Sequence, residues 1–366
     1  MSLLTTLRTA TLAGLLLLLV PDRLAACAFD TALPEATVSQ QIAGAIEVVA
    51  ARPAADNPFR FEPIAVLKGA ASASRPPHLV DSATRARLAR NPGDAVLFAR
   101  DADGSWTRLL VLDAATRPLI DRMIARADSW TGPEGATERR DTFADLLAHR
   151  DEGLRRLALR ELDALPYGGL RNGTYPVPPT DLLQILTDID QMPFAPISIL
   201  LLGLNDSDAA RDAIARHLAA MADQGTDSNL GPWITAAVES GGPDGLAAVE
   251  RQFLAAPERL SSLQLVEIIR ALSVLSAQGD TALRVPLDRA IRRFVTLRPD
   301  AAPLIAQAFG ANSDYSQIAV VRDAAAAHPF VEPDQMMAVL AYVSRANEAS
   351  ANSLERRRIR TNGAGQ

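Results

Sequence analysis

The chain has almost no cysteine and almost no lysine. Cys27 is its single cysteine, so no intramolecular disulfide can form and stability has to come from packing. Lys68 is the one lysine among 37 Lys and Arg residues, an arginine bias that reads as codon usage rather than as a recognition device. Aromatic residues make up only 5% of the sequence, so the 48% hydrophobic content is carried mainly by Ala and Leu. Both are strong helix formers. A net charge of -6 and a pI near 5.4 exclude the basic domain that a nucleic-acid binder normally shows, so no nucleic-acid partner is expected.

Signatures of chemistry are also missing. The four histidines, His78, His149, His217 and His328, have no metal-ligand spacing, and no HExxH, paired CxxC or EF-hand pattern occurs. There is no nucleophile elbow and no phosphate-cradling glycine loop. Neither a cofactor nor a metal is expected, and no catalytic residue can be named. Asp188 and Asp190, and the group Asp206, Asp208 and Asp212, place carboxylates close together. Such pairs can act as acid and base, but acidic residues at a helix start complement its dipole without any catalytic role.

What is present begins with an export signal. Arg8 precedes an apolar run from Leu12 to Val20, and small residues follow Pro21. This order predicts a signal peptide over residues 1–28, with Ala26-Cys27-Ala28 placing cleavage after Ala28. The run is shorter than the ~20 apolar residues that span a bilayer. Leu24-Ala25-Ala26-Cys27 also resembles the lipobox of bacterial lipoproteins, which implies lipidation at Cys27 and a membrane anchor through it alone. Asp22 and Arg23 interrupt the apolar run where lipoboxes carry no charge. The expected location is the periplasm, with an envelope lipoprotein as the alternative.

Residues 29–127 read as a small β-rich domain. Ile46–Ala50 is a strand candidate, and Phe59-Arg60-Phe61-Glu62 alternates with period two before running on to Lys68-Gly69. Asn57-Pro58 punctuates the turn between them. Ala95–Arg100 and Ser105–Leu112, joined by Asp101-Ala102-Asp103-Gly104, read as a hairpin. A helix is expected around 118–127. Phe59–Gly69 and Pro92–Trp106 together resemble bacterial netrin-like OB-fold modules, in which a strand ending in Leu-Lys-Gly precedes a Pro-Gly strand start and an aromatic hairpin. The resemblance implies a small OB-like barrel. It also implies protease inhibition, although the related metalloproteinase inhibitors depend on a disulfide framework around an N-terminal cysteine, which one cysteine cannot build.

Asp128–Gly135 is rich in turn formers, and residues 128–138 read as a linker. From 139 to 348 the texture is helical. Leu154, Leu157, Ala158, Leu162 and Leu165 share one helix face, and Leu263, Val266, Ile269 and Leu272 another. The second helix carries extra aliphatics, Leu265 and Ile268, and is expected to be buried on most sides. Leu201-Leu202 is followed by Asp206, Arg211, Arg216 and Leu218, and Leu275 by Asp280, Arg284, Arg289 and Ile291. Asp151, Arg155, Arg160 and Leu162 repeat the pattern earlier, and Val238, Asp244 and Arg251 form a degenerate copy. This Leu…Asp…Arg recurrence resembles HEAT-type α-solenoids, in which Asp would cap a helix and Arg would cover the seam. An irregular all-α domain is the alternative. Residues 349–366, with Glu355-Arg356-Arg357-Arg358, read as a disordered basic tail. The fold class expected is α+β and multidomain: a small OB-like β-barrel followed by an all-α, HEAT-like solenoid.

One interruption separates the first two repeat units. Residues 166–179 (Pro166 to Pro179) hold Tyr167, Arg171, Asn172 and Tyr175, with Thr180 and Asp181 placed to cap the next helix. Tyrosine and arginine are over-represented at binding hot spots, and recognition often sits on loops. These four residues are therefore the candidate partner-binding cluster, against the alternative of a spacer whose tyrosines pack inward. The function expected is an exported scaffold that binds a protein or peptide partner. The alternative is a cell-envelope enzyme acting on glycan or polymer in a groove of the helical domain.

Overall fold

The computed structural model describes Phe29, residues 36–226 and residues 228–363, with side chains up to residue 353 apart from that of Pro133. The expected signal peptide and Cys27 lie outside these residues. The architecture is α+β: one four-stranded antiparallel sheet followed by a long succession of helices.

Helix α1 (Val38–Gly44) opens with a capping box between Thr37 and Gln40. Its C-terminal end is held by the chain's only lysine: Lys68 Nζ donates to the Ile42 and Ala43 carbonyls at 2.8 Å, a favourable place for a cation. Strands β1 (Glu47–Pro53), β2 (Phe61–Lys68), β3 (Ala95–Arg100) and β4 (Trp106–Leu112) form a sheet in the order β2-β1-β3-β4. The sheet is open, with β2 and β4 as edges. A barrel would pair those two strands, and no such pairing occurs among the described residues.

The sheet stays open because both faces are covered. Val48, Ala50, Leu97 and Ala99 point into the main core shared with the helices. Val49, Ala51, Val96 and Phe98 point the other way, into a second cluster with Phe61, Leu88 and Trp106. Leu88 belongs to helix α2 (Ser82–Arg90), which is capped by Asp81. Burial on both faces explains why β1 and β3 read as continuous aliphatic runs rather than alternating ones.

The turn that follows β4 carries a pH dependence. Asp113 accepts from the Ala115 and Thr116 backbone N–H groups at 3.1 and 2.9 Å, and pairs with Arg87 at 2.8 Å. Burial alone would raise its pKa, but the Thr116 and Ala115 hydrogen bonds and the Arg87 charge outweigh it and leave the carboxyl below its ordinary range. A depressed carboxyl stabilises the fold above its unfolded pKa, and that contribution is lost as pH falls through the folded value. Thermal melting followed downward from neutral pH should therefore show a stability loss setting in below about pH 4. Asp113→Asn should flatten part of that slope while lowering stability near neutrality.

Helix α3 (Arg117–Trp130) turns directly into α4 (Pro133–Ala144) at Thr131-Gly132. The stretch expected as a linker, 128–138, is therefore a helix–helix corner. Its physical reason is Trp130, 5% exposed and stacked edge-on against Phe143 at 5.8 Å, which draws the turn into the core. Helix α5 (Glu152–Asp163) follows, capped by Asp151 through the Leu154 N–H. It buries Leu154, Ala158 and Leu162, on the face its spacing indicates.

After the insertion come α6 (Tyr167–Arg171) and α7 (Pro179–Ile185). No side chain caps α7; proline occupies its first turn and Asp181 lies within it, so Thr180 and Asp181 are not its N-cap. Next are α8 (Ala195–Gly203), α9 (Asp208–Gln224) and α10 (Leu230–Val249). Ser207, not Asp206, caps α9. Helix α10 is two helices joined at Gly242, which takes φ 55°, with Pro243 starting the second part. Then follow α11 (Ser262–Gln278), α12 (Arg284–Leu297), α13 (Ala302–Ala311), α14 (Ile318–Ala327) and α15 (Pro333–Gly363). Helix α15 continues through residues 349–363, where a disordered tail was expected.

Packing contacts run α8 to α10, α10 to α11, α11 to α13 and α13 to α15. The helices α9, α12 and α14 pack against members of this row. The α8–α10 approach is close because Gly203 lacks a side chain: a Cβ there would lie 2.5 Å from the Ala236 Cα. In α11, Leu265, Ile268, Ile269 and Leu272 are buried, whereas Leu263 is 66% exposed on the first turn. No described helix is long and apolar enough to cross a membrane.

Candidate functional site

The insertion folds back on the helices. Tyr167 is 1% exposed, and its hydroxyl donates to Glu239 Oε2 at 3.0 Å. Burial, followed by the neighbouring Glu239 charge, holds this phenol well above its ordinary pKa, so it stays a proton donor. The Arg171 guanidinium pairs with the same Glu239 and lies 3.6 Å from Asp280. Asn172 donates to the Gly168 carbonyl, and the buried Tyr175 to the Leu170 carbonyl at 2.6 Å. A side chain at Gly173 would meet the Tyr175 hydroxyl at 2.6 Å.

These contacts use the hydrogen-bonding groups that made the four residues a candidate surface. Tyr167 and Arg171 tie the insertion to Glu239, and Asn172 and Tyr175 brace its own turn. Tyr167→Phe removes a hydrogen bond to a largely buried carboxylate. It should lower the free energy of unfolding by about 1–3 kcal/mol, which urea denaturation followed by circular dichroism will read.

The insertion nevertheless contributes to a site. Pro166 and Tyr167 form one end of a cleft of about 290 Å³ between α11 and α13. Helix α11 presents Val266, Ile269, Arg270 and Ser273 to it, and α13 presents Leu304, Gln307, Ala308 and Ala311. Each set follows the i, i+3, i+4, i+7 spacing of one helix face. Each helix therefore turns a mixed apolar and polar face to the cleft beside the stripe buried in the core, and only that spacing was available to sequence reading.

Polar contacts tie the two helices together beside the cleft. Asn312 donates to Ser273 Oγ at 3.0 Å and to the Ala308 carbonyl, and Ser273 donates to the Arg270 carbonyl. Gln278 Oε1 accepts the Gly168 N–H at 2.8 Å. Gln278 and Gln307 also line the cleft. Phe29, 5% exposed, lines the cleft with its ring. The ring lies against the start of α10, where Gly231 makes room: a Cβ there would sit 2.4 Å from the ring edge. The Gly231 N–H donates to Glu267 Oε2 at 3.2 Å.

The remaining candidates resolve into local structure. Asp188 accepts from the Asp190 backbone and from Gln191, contacts that lower its pKa. Asp208 pairs with Arg211 in the first turn of α9. His149 accepts the Asp151 N–H, and His217 stacks flat on Trp233 at 4.5 Å. His78 lies against Phe98 and His328 against Phe330. Among the described residues no three His, Cys, Asp or Glu side chains gather as metal ligands would. Compared with protein-family models, curated proteins and solved structures, the chain matches none of them.

Proposed function

We propose that this protein is an exported interaction scaffold, an α-solenoid behind a small four-stranded β-sheet module, and that it binds an extended peptide segment of a partner in the α11–α13 cleft. The observation that carries the reading is the composition of that cleft. Val266, Ile269, Leu304, Ala308 and Ala311 give it an apolar body, and Arg270, Ser273, Gln278 and Gln307 add polar groups to its lining. This mixture of an apolar body and a few placed polar groups suits a peptide. The solenoid reading is supported by helices that begin at Ala195, Leu230, Ser262, Ala302 and Pro333. They recur roughly every 30–40 residues, the step of a stacked helix-pair unit. Asp151 and Asp280 both act as caps, as the repeat signature implies. Export follows from the basic, apolar and small-residue order of the first 28 residues.

An envelope enzyme needs a carboxylate or histidine poised in a groove; among the described residues neither type lines the α11–α13 cleft, whereas a second groove of about 460 Å³ beside α5 and α7 is lined by His149 and Asp181 and is where that alternative would act. The test is selection of phage-displayed dodecapeptides on the purified mature protein and on an Ala311→Arg variant, whose long cation would fill the rim of the cleft. Enrichment of a common motif on the wild type, lost on a variant that melts normally, supports the reading. No enrichment, or equal enrichment on both proteins, contradicts it.

A further inference from the structure

Among the described residues, Phe29 is the one cleft-lining residue that comes from outside the helical succession. Its ring is buried, yet about 290 Å³ of the cleft stays open beside it. A side chain seated in a core is packed on all sides at crystal-like density, whereas this ring lines one wall of an unfilled groove. The seat is shaped for an aromatic edge: at Gly231 the first turn of α10 offers bare backbone, and any side chain there would overlap the ring. The lining adds two side chains that a seat for one phenyl ring does not require, those of Gln278 and Gln307. Glutamine amides at that position suit the backbone of a bound extended chain, which presents unpaired N–H and C=O groups.

We propose that the cleft recognises the aromatic side chain of an extended peptide, and that Phe29 is its built-in competitor, leaving the seat when a partner's ring enters. This rests on the peptide-binding reading above and adds to it the chemistry of the partner and a means of regulation. With cleavage after Ala28, Phe29 becomes the first residue of the mature chain, so export itself produces the competitor. The free energy available to a partner is then the difference between two rings, and affinity is reduced by the fraction of time the seat is taken.

The experiment uses the mature chain, wild type and Phe29→Ala, with a fluorescein-labelled peptide of the chain's own residues 29–36, Phe-Asp-Thr-Ala-Leu-Pro-Glu-Ala, followed by polarisation. The expected result is saturable binding to Phe29→Ala, at least tenfold tighter than to wild type, and no binding of the peptide whose Phe is replaced by Ala. Absence of binding to a folded Phe29→Ala chain, or equal binding to both proteins, overturns the proposal. A second measurement needs no destabilising variant. In the otherwise wild-type protein, 4-fluorophenylalanine at position 29 alone should give a buried ¹⁹F resonance that moves to the free-peptide position when excess unlabelled peptide is added. A resonance that stays put while peptide binds overturns the competitor role. If peptide selection yields a motif without an aromatic residue, the scaffold function stands and only this inference falls.

Discussion

Glu161→Ala should lower the free energy of unfolding by about 3–5 kcal/mol, the usual cost of stranding one member of a buried ion pair. Glu161 has no exposed surface. Its carboxylate accepts from the Ser39 N–H at 2.8 Å, from the Ser39 hydroxyl and from Arg139 Nη2 at 2.9 Å. Arg139 also reaches Thr37, the residue that caps α1. Removing the carboxylate leaves a guanidinium buried without its counter-charge, and orphans two donors at the start of α1. The double variant Arg139→Met with Glu161→Leu should recover the part of the loss that comes from the unpaired guanidinium, while the Ser39 N–H and hydroxyl stay without their acceptor. Urea denaturation of the single and double variants measures both. A loss below about 1 kcal/mol for Glu161→Ala would mean that water reaches the pair, as it reaches surface ion pairs.

Gly69→Ala should cost about 2–4 kcal/mol through two separate effects. Gly69 ends β2 with φ +81°, a left-handed conformation that costs an L-residue roughly 1–2 kcal/mol. The added Cβ would also lie 2.0 Å from the Ile46 carbonyl oxygen. Since that atom is backbone beside β1, the overlap is relieved only by shifting one strand against its neighbour, an overpacking cost of about 1–3 kcal/mol. Gly104 separates the two effects. It has φ +85° in the β3–β4 turn but open space around it, so Gly104→Ala should show the conformational cost alone. Chemical denaturation of the two variants side by side should find Gly69→Ala the more damaging. Equal losses would mean that β1 and β2 adjust freely at that end.

The sheet was legible because its signals are local. Aliphatic runs at 46–50 and 95–100, the Asn57-Pro58 turn and the Asp101–Gly104 loop lie within a few residues of the strands they delimit, and β1 to β4 follow them closely. What the sequence did not reveal was that those strands form an open sheet covered on both faces. That depends on α2 covering the second face through Leu88, a contact that no period in the strands encodes. The linker reading at 128–138 failed for the same reason. Turn-forming residues describe the Thr131-Gly132 corner correctly, but the burial of Trp130 against Phe143 decides that the corner is compact.

The candidate site was legible only at its edge. The insertion drew attention to Tyr167, which does line the cleft, but Tyr175 and Arg171 are committed to Leu170 and Glu239. Whether a tyrosine faces a partner or the core depends on acceptors distant in sequence, such as Glu239. Phe29, Gly231, Ile269 and Ala308 meet only in the folded chain, and each one alone reads as an ordinary core or surface residue. The buried Glu161 network is the extreme case, joining α1 to α5 across 122 residues of sequence.

The central claim is that the α11–α13 cleft is where this protein meets its partner. Hydrogen–deuterium exchange of the mature protein, with and without a saturating selected peptide, tests it directly. The account predicts slower exchange in residues 262–278 and 302–312 and unchanged exchange in the sheet. Protection concentrated in residues 47–112, or none anywhere at saturation, would contradict it.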